Sequence, residues 1–424
     1  MNKVKQYFSE DWTSTIVGTL VIVIALVSYF SFNYLPKWVS FGWNDSAGFA
    51  NILSVTNLTA YFVVFVLSLA FVAIANFLQG KFAWKSILAF AGLFLITGIA
   101  QLIGGWKILN EWGFEAVIFC LIIGLIISNI FGTPDWLKPA LKSELYVKIG
   151  LVLLGSTILF HTIMKAGGQG LVQALVVILS VWYFCFWLCR KMKIDKELTM
   201  MLSSAVSICG VSAAIATSGA IKGDEKKLSY VVSLVMVIAV PMILIMPVFA
   251  RWLDLNEILA GAWIGGTIDT TGAVAATGAL YGKEALDYAT IVKSSQNVLL
   301  GVAAFFIAIY WAATNKKTDE VNLEKPGFRV IWDRFPKFVV GFIIASLVFS
   351  FLMPGEAAKE VSGVLKKSQG LWFALGFTSI GLETNFKSLF NNENRRATWA
   401  FLIAQLFNVV ITLIVAYIIF GNEK

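Results

Sequence analysis

The chain has 424 residues, 58% of them hydrophobic and 14% charged, with a mean hydropathy of +0.79. A soluble globular domain is about half apolar and about a quarter charged, so this composition excludes one and specifies an integral membrane protein. The formal net charge of +8 comes without a basic stripe interleaved with aromatics, which argues against a nucleic-acid partner and points to loop charge at one membrane face.

Apolar runs of about 17 to 25 residues, long enough to cross a ~30 Å hydrocarbon layer as helices, recur throughout and number about thirteen. In chain order they cover residues 16–34, 58–78, 84–102, 114–131, 146–164, 171–188, 198–221, 230–252, 258–280, 288–312, 338–353, 371–390 and 398–420. The expected fold class is an all-α polytopic membrane protein. The first run is too long for a signal-peptide core and exits through Pro36-Lys37 without a small-residue cleavage site, so it is read as a span. The polar connection 314–334 carries Pro326 and is too short to fold alone.

Alternating the spans puts Lys3, Lys5, the cluster Arg190, Lys191, Lys193 and Lys196, the connection 316–337 and Arg395-Arg396 on one face. That face holds roughly 20 positive residues against about 11 opposite, and is expected to be cytoplasmic, with the N-terminus inside and the C-terminus outside. Cys120, Cys185, Cys189 and Cys209 fall in or at the ends of apolar runs without metal-ligand spacing and read as packing residues. His161 reads as interfacial, and no metal site is expected.

Weak internal echoes recur five spans apart. IGLIIS at 123–128 resembles IGGTID at 264–269, KIGLVLLG from Lys148 resembles KSSQNVLLG from Lys293, and SICGVSA around Gly210 resembles TSIGLET around Gly381. An odd offset inverts one half against the other, as in many secondary transporters. The expected organisation is an N-terminal extension over 1–80 with two peripheral helices, inverted five-helix repeats over 84–221 and 228–390, and a peripheral C-terminal helix over 395–424. A competing register aligns IGLVLLGSTILF at Ile149 with LGFTSIGLETNF at Leu375.

Four stretches combine small residues, hydroxyls and ionisable groups at membrane depth, namely 203–220, 265–279, 291–297 and 376–385. Gly210 and Gly272 fall mid-span, where glycine is disfavoured by about 1 kcal/mol relative to alanine. Helix breaks are therefore expected near Cys209-Gly210 and at Asp269 to Thr271. The N-terminus of the second half-helix offers unpaired N–H groups and a partial positive charge, which suits an anion. Ser212, Asp269, Thr270 and Thr271 are candidate caps. The same small residues also suit ordinary close-packed transmembrane contacts. Burying a charge mid-membrane costs at least ~2.5 to 3.5 kcal/mol, which singles out Asp269, Lys293 and Glu383, while Lys148 lies nearer a span end and can snorkel. There is no nucleophile elbow, metal motif or Walker A pattern in the sequence, so neither enzymatic activity nor a cofactor is expected.

SICGVSAAIAT at 207–217 resembles the SICG-x-[SA]-A-x-x-A-T segment of the YeiH family, bacterial inner-membrane proteins described as sulfate exporters. GGTIDTTGAVAATG at 265–278 is similar to that family's G-[ST]-[STI]-[IV]-H-[DE]-x-A-Q-V-V-A-A-G segment. Lys293 matches the lysine of its K-x-x-R pattern, FPKF at Phe335 its I-P-W-F, and IGLETNF at Ile380 its [IL]-G-L-x-T. The matches run in order from about Ile123 to the C-terminus. The resemblance implies the architecture of bile-acid transporters and cation/proton antiporters, with panel and core domains, inverted repeats and discontinuous crossing helices. Asp269 stands where the family has histidine, Thr270 where it has an acid, Gly272 and Ala273 near its Ala-Gln pair, Gln296 where it has arginine, and Glu383 where it has a small or hydroxyl residue. Losing an arginine and gaining an acid makes the expected cavity less positive.

The sequence thus reads as a secondary active transporter of the bacterial inner membrane, working by alternating access on a small anion such as sulfate, a sulfonate or a carboxylate. Ser207, Cys209, Gly210, Ser212, Thr270, Thr271, Lys293 and Gln296 form the candidate binding set. Asp269 and Glu383 are the candidate coupling groups for H⁺ or Na⁺, and the bilayer and a second copy of the chain are the expected partners. The alternative is a cation/proton antiporter centred on Asp269 and Lys293. A non-transporting receptor is disfavoured, because buried charges and broken helices are costly without a ligand.

Overall fold

The structure, a computed structural model, describes residues 8–36, 38–80, 83–107, 116–314, 335–386 and 395–423. The connection expected at 314–334 therefore lies, beyond Thr314, outside the described residues, as do Lys3 and Lys5. Among the described residues the chain is helical, with one isolated backbone bridge between Trp43 and Trp106.

In chain order the helices are α1 (Glu10–Phe32), α2 (Ser46–Ile52), α3 (Val55–Leu78), α4 (Trp84–Gly104), α5 (Ala116–Ile126), α6 (Ser143–Leu154), α7 (Phe160–Lys191), α8 (Lys196–Ser207) and α9 (Val211–Ile221). There follow α10 (Glu225–Trp252), α11 (Glu257–Thr267), α12 (Thr271–Tyr281), α13 (Lys283–Val298), α14 (Leu300–Thr314), α15 (Lys337–Leu347), α16 (Gly355–Glu383) and α17 (Arg395–Phe420). Among the described residues, seven segments are long and apolar enough to cross a membrane: α1, α3, α4, α7, α10, the α13–α14 pair and α17. Side-chain caps begin many of them, with Ser9, Ser54, Asp195, Asp224, Asn256 and Thr270 each accepting a backbone N–H of the following turn.

The fifth and sixth runs divide differently from expectation. A continuous span over 146–164 is replaced by α6, a short 3-10 turn at Gly155–Thr157, and α7, which begins at Phe160, earlier than the expected residue 171. The interruption persists because its backbone groups are satisfied: Ser346 Oγ donates to the Ile158 carbonyl at 2.6 Å and the Phe160 N–H donates to Ser350 Oγ at 3.0 Å. The twelfth run, expected over 371–390, belongs to the continuous α16, which starts at Gly355 and stops at Glu383.

The chain divides into two compact units, Met1–His161 with Lys337–Asn385, and Thr162–Pro336 with Phe386–Lys424. In the first, α6 is buried along nearly its whole length and packs on α16, α1 and α15. Gly124 of α5 and Gly381 of α16 bring their backbones together, since a β-carbon on Gly124 would lie 2.9 Å from the Gly381 Cα. The N-terminal end of α1 packs into this unit, with Thr13, Ser14 and Val17 fully buried and Glu10 and Asp11 paired with Lys148, while Val27, Phe30 and Phe32 toward its C-terminal end are exposed.

In the second unit, α11 runs closely along α13. A β-carbon on Gly261 would meet the Ala285 carbonyl at 2.6 Å, and one on Gly265 the Ala289 carbonyl at 2.5 Å, so the small residues read from the sequence serve a close crossing. The helix pairs α8–α9 and α11–α12 are both interrupted, and α17 packs on α8 and α11. Among the described residues, interruptions thus fall in the fifth run at Gly155–Thr157, in the seventh, in the ninth and, between α13 and α14, in the tenth. The expected repeat pairs the seventh with the twelfth, which is continuous in α16, and the ninth with the fourth, which departs from α geometry only at a π turn over Ile127–Phe131.

Candidate functional site

Both breaks fall where glycine and the acid predicted them. Gly210 adopts φ +58° and ψ −109°, a conformation that disfavours any side chain, and ends the interruption between α8 and α9. Ile268 is extended and Thr270 caps α12, its Oγ1 accepting the Ala273 N–H at 3.2 Å. The two breaks touch. A β-carbon on Gly210 would stand 3.1 Å from the Asp269 Cβ.

Breaking a helix frees carbonyls on one side and N–H groups on the other. Here the freed carbonyls are taken by side chains of two other helices. From α13, Lys293 Nζ donates to the Ile208 carbonyl at 2.6 Å and to Gln296 Oε1 at 2.8 Å, and Gln296 Nε2 donates to the Ser207 carbonyl at 2.9 Å. From α17, Asn408 Nδ2 donates to the Val206 carbonyl at 3.1 Å and the Thr267 carbonyl at 3.0 Å, and Gln405 Nε2 also reaches the Thr267 carbonyl at 3.0 Å. Thr412 Oγ1 donates to Asn408 Oδ1 at 2.8 Å, which fixes the direction of that amide. One helix further away, Gln173 of α7 donates to the Ala262 carbonyl at 2.8 Å.

The negative poles of α8 and α11 are thereby compensated. The positive poles are treated unequally: α12 has its Thr270 cap, whereas the first turn of α9 has no side-chain cap. Asp269 is 2% exposed, and its Oδ2 has no hydrogen-bond partner among the described residues. Lys293, 1% exposed, lies within electrostatic reach of it. The arrangement holds an acid and a base in a buried setting, with an acceptor on the acid and N–H donors at the first turn of α9 that have no side-chain partner among the described residues. It can take up a proton or cation on Asp269 and an anion at the helix end.

The predicted residues separate into three groups. Ser207, Gly210, Asp269, Thr270, Lys293 and Gln296 meet at the crossing, and Thr271 joins them through Asn297, whose Nδ2 donates to Thr271 Oγ1 at 3.2 Å. Cys209 instead packs in an apolar cluster with Ala174, Ile178, Ala213 and Leu300. Ser212 is exposed and caps nothing, since Gly210 occupies the N-cap position itself.

Glu383 belongs to the other unit, where it works as a helix cap. Its Oε2 accepts from Ser143 Oγ at 2.6 Å and its Oε1 from the Ser143 N–H at 3.4 Å, at the start of α6. Lys148, further along α6, is held by Asp11 at 2.9 Å, Glu10 at 3.0 Å and Glu144 at 3.7 Å. Sequence reasoning missed Gln405, Asn408, Gln173 and Asn297. The available signal was Gln405, Asn408 and Thr412 sharing one face of an otherwise apolar run.

The family model described as "Conserved hypothetical protein 698" matches residues 88–400, a range that holds both breaks, Asp269 and Lys293. A UPF0324 membrane protein of Rhodopirellula baltica is 41% identical over 366 residues, covering 84% of this chain and 67% of its own. A UPF0324 membrane protein of Nitratidesulfovibrio vulgaris is 40% identical over 363 residues, covering 82% of this chain and 62% of its own. One from Clostridium tetani is 23% identical over 330 residues and is covered over 95% of its length. The chain spans about two thirds of the length of the first two relatives. No solved structure matches it. Relatives named as membrane proteins and seven candidate spans together make this a membrane protein.

Proposed function

The chain belongs to the family of conserved hypothetical protein 698, and we propose that it is a secondary active transporter of the bacterial inner membrane that moves a small anion by alternating access. The observation that carries this reading is the contact of two helix breaks at Gly210 and Asp269, with their freed carbonyls compensated and the N-terminus of α9 uncapped. An anion binds at that N-terminus, and no chemistry is asked of the protein beyond binding and release.

Asp269 gives the coupling. Two unit negative charges about 5 Å apart repel by roughly 3 kcal/mol at an effective dielectric of 20. An anion therefore binds best when Asp269 carries a proton, so proton and anion travel together. Lys293 and Gln296 spend their donors on the Ile208 and Ser207 carbonyls. Gln296, standing where the YeiH family that the sequence resembles has arginine, adds no cation. This supports a singly charged anion, such as a carboxylate, over sulfate. The charge bias of the loops supports a cytoplasmic N-terminus and an external C-terminus.

A second reading follows from the unpartnered Asp269 Oδ2: cation/proton exchange on this carboxylate, with Lys293 as its charge partner. Thermal-shift and solid-supported-membrane current measurements across carboxylates, sulfonates, sulfate, Na⁺ and pH steps distinguish the two. Anion-dependent stabilisation that strengthens in acid, and loses its pH dependence in Asp269→Asn, is the expected result. Currents driven by pH and Na⁺ steps without any anion response would replace it with the exchanger, and silence in every arm would remove both.

A further inference from the structure

We propose that a cavity between α7, α8 and α14 binds the phosphate headgroup of an anionic phospholipid. The cavity measures about 250 Å³ and is lined by Phe186 and Arg190 of α7, Lys196 and Met200 of α8, and Tyr310 and Trp311 of α14. It lies away from the helix breaks, at the opposite end of α8 from Ser207, and does not depend on the transport reading.

Charge defines the ligand first. Arg190 and Lys196 both face the cavity, and neither has an ion pair among the described residues. The acids beside them are already engaged: Lys227 Nζ lies 2.7 Å from Asp195 and 3.0 Å from Glu197. Two cations without ion pairs of their own among the described residues, on one small cavity, call for an anion, and a guanidinium beside an ammonium suits phosphate oxygens.

The walls define the rest of the ligand. Phe186 and Tyr310 meet edge to face with ring centroids 6.1 Å apart, and with Met200 and Trp311 they give the cavity apolar and aromatic walls beside Thr199 and Thr314. A freely soluble anion gains nothing from such walls, whereas an amphiphile does. At about 30 Å³ for each water-sized group, the volume holds roughly eight such groups, enough for a phosphate and its glycerol but not for acyl chains. The chains would leave along the apolar surface of α7.

Position agrees. The cavity is formed by the last turns of α7 and α14 and the first turn of α8, at the ends of membrane-crossing segments. Lys191 sits over the Trp187 ring at 5.1 Å, a cation and an aromatic at the same level. This is the face that the lysine and arginine count assigns to the cytoplasm, where anionic headgroups attract basic side chains. A bound headgroup would tie together the ends of three helices.

The test uses the full chain purified in neutral detergent, with thermal unfolding and native mass spectrometry as readouts. Phosphatidylglycerol is expected to raise the unfolding temperature and remain bound, while phosphatidylcholine and glycerol 3-phosphate at equal concentration do neither. Arg190→Gln/Lys196→Gln should weaken phosphatidylglycerol about thirtyfold, from roughly fivefold per cation. Lys191→Gln/Lys193→Gln removes the same charge outside the cavity and should change affinity by less than about threefold. Equal losses in the two double variants, or no phosphatidylglycerol response in the native chain, would overturn the proposal. A full response to glycerol 3-phosphate would overturn the lipid assignment in favour of a soluble phosphate ester. If the double variant does not fold, the two single variants carry the same comparison.

Discussion

Gly210 and Asp269 lie in contact across two helix breaks, so closely that a β-carbon on the glycine would stand 3.1 Å from the Asp269 Cβ and 2.7 Å from Cγ1 of Val235. Neither neighbour can yield easily, because Asp269 is held at its own break and Val235 is fully buried in α10. Gly210 also needs its positive φ. Gly210→Ala therefore combines strain with overpacking and should destabilise the protein by about 1 to 3 kcal/mol. Transport should fall further than this loss of stability accounts for, because the α9 N-terminus moves. Unfolding midpoints in detergent and initial uptake rates in proteoliposomes check both expectations.

Lys293 holds two acceptors and one charge partner at once. Lys293→Met leaves the Ile208 carbonyl and Gln296 Oε1 without this donor, at about 1 to 3 kcal/mol for each buried group. It also leaves Asp269 without its nearby cation. Asp269→Asn removes the stranded charge, so the double variant Asp269→Asn/Lys293→Met should be more stable than Lys293→Met by at least about 1 kcal/mol. A double-mutant cycle on unfolding midpoints measures this, and additive effects would show that the two residues do not interact.

The amides of α17 should matter although they belong to a run expected at the periphery. Asn408→Leu keeps the number and branching of the side-chain heavy atoms and removes donors from the Val206 and Thr267 carbonyls, which predicts a loss of about 1 to 3 kcal/mol. Gln405→Leu should cost less, because Asn408 still serves the Thr267 carbonyl. Reversing this order in thermal unfolding would mean that the carbonyl caps are not what stabilises the break.

Much of this was legible in the chain. Long apolar runs gave the helices, and Gly210 with the Asp269-Thr270-Thr271 cluster marked both breaks, because glycine and capping residues have few other reasons to sit mid-span. The interruption at Gly155–Thr157 was not legible, since its backbone groups are satisfied by Ser346 and Ser350, far away in sequence. Glu383 was read incompletely for a related reason. Its sequence position shows an acid in an apolar run but not its partner, which is the N–H and hydroxyl of Ser143. Local pattern reports what a residue can do; the satisfying partner, set by tertiary packing, decides what it does.

Glu383 and Asp269 should therefore respond differently to amide substitution. Glu383→Gln can still accept from Ser143, so it should leave the pH dependence of anion binding unchanged and cost at most about 1 kcal/mol of stability. Asp269→Asn should abolish that pH dependence. Binding measured by thermal shift between pH 5 and 8 separates them, and a flattened profile in Glu383→Gln would restore it as a coupling group.

At the ends of α8 and α10, two exposed caps give the protein an acid-sensitive element outside the spans. Burial tends to raise the Asp195 carboxyl, but Lys227 and the Leu198 N–H outweigh it and hold the group below the usual carboxylate range. Asp224 is held low by the N–H groups of Lys227 and Lys226. A carboxyl whose value is lowered on folding stabilises fully above its unfolded value near 4 and loses that contribution as pH falls through the folded value. The native chain should therefore lose unfolding temperature as pH drops below about 4, and Asp195→Asn/Asp224→Asn should flatten that decline. Asparagine keeps the cap hydrogen bonds but not the charge or the Lys227 ion pair, so this variant should start lower at pH 7 by the part of stability that the native chain loses in acid, whereas Asp195→Ala also loses a cap, worth about 1 kcal/mol. A double-asparagine variant with an undiminished acid decline would place the sensitivity elsewhere in the chain.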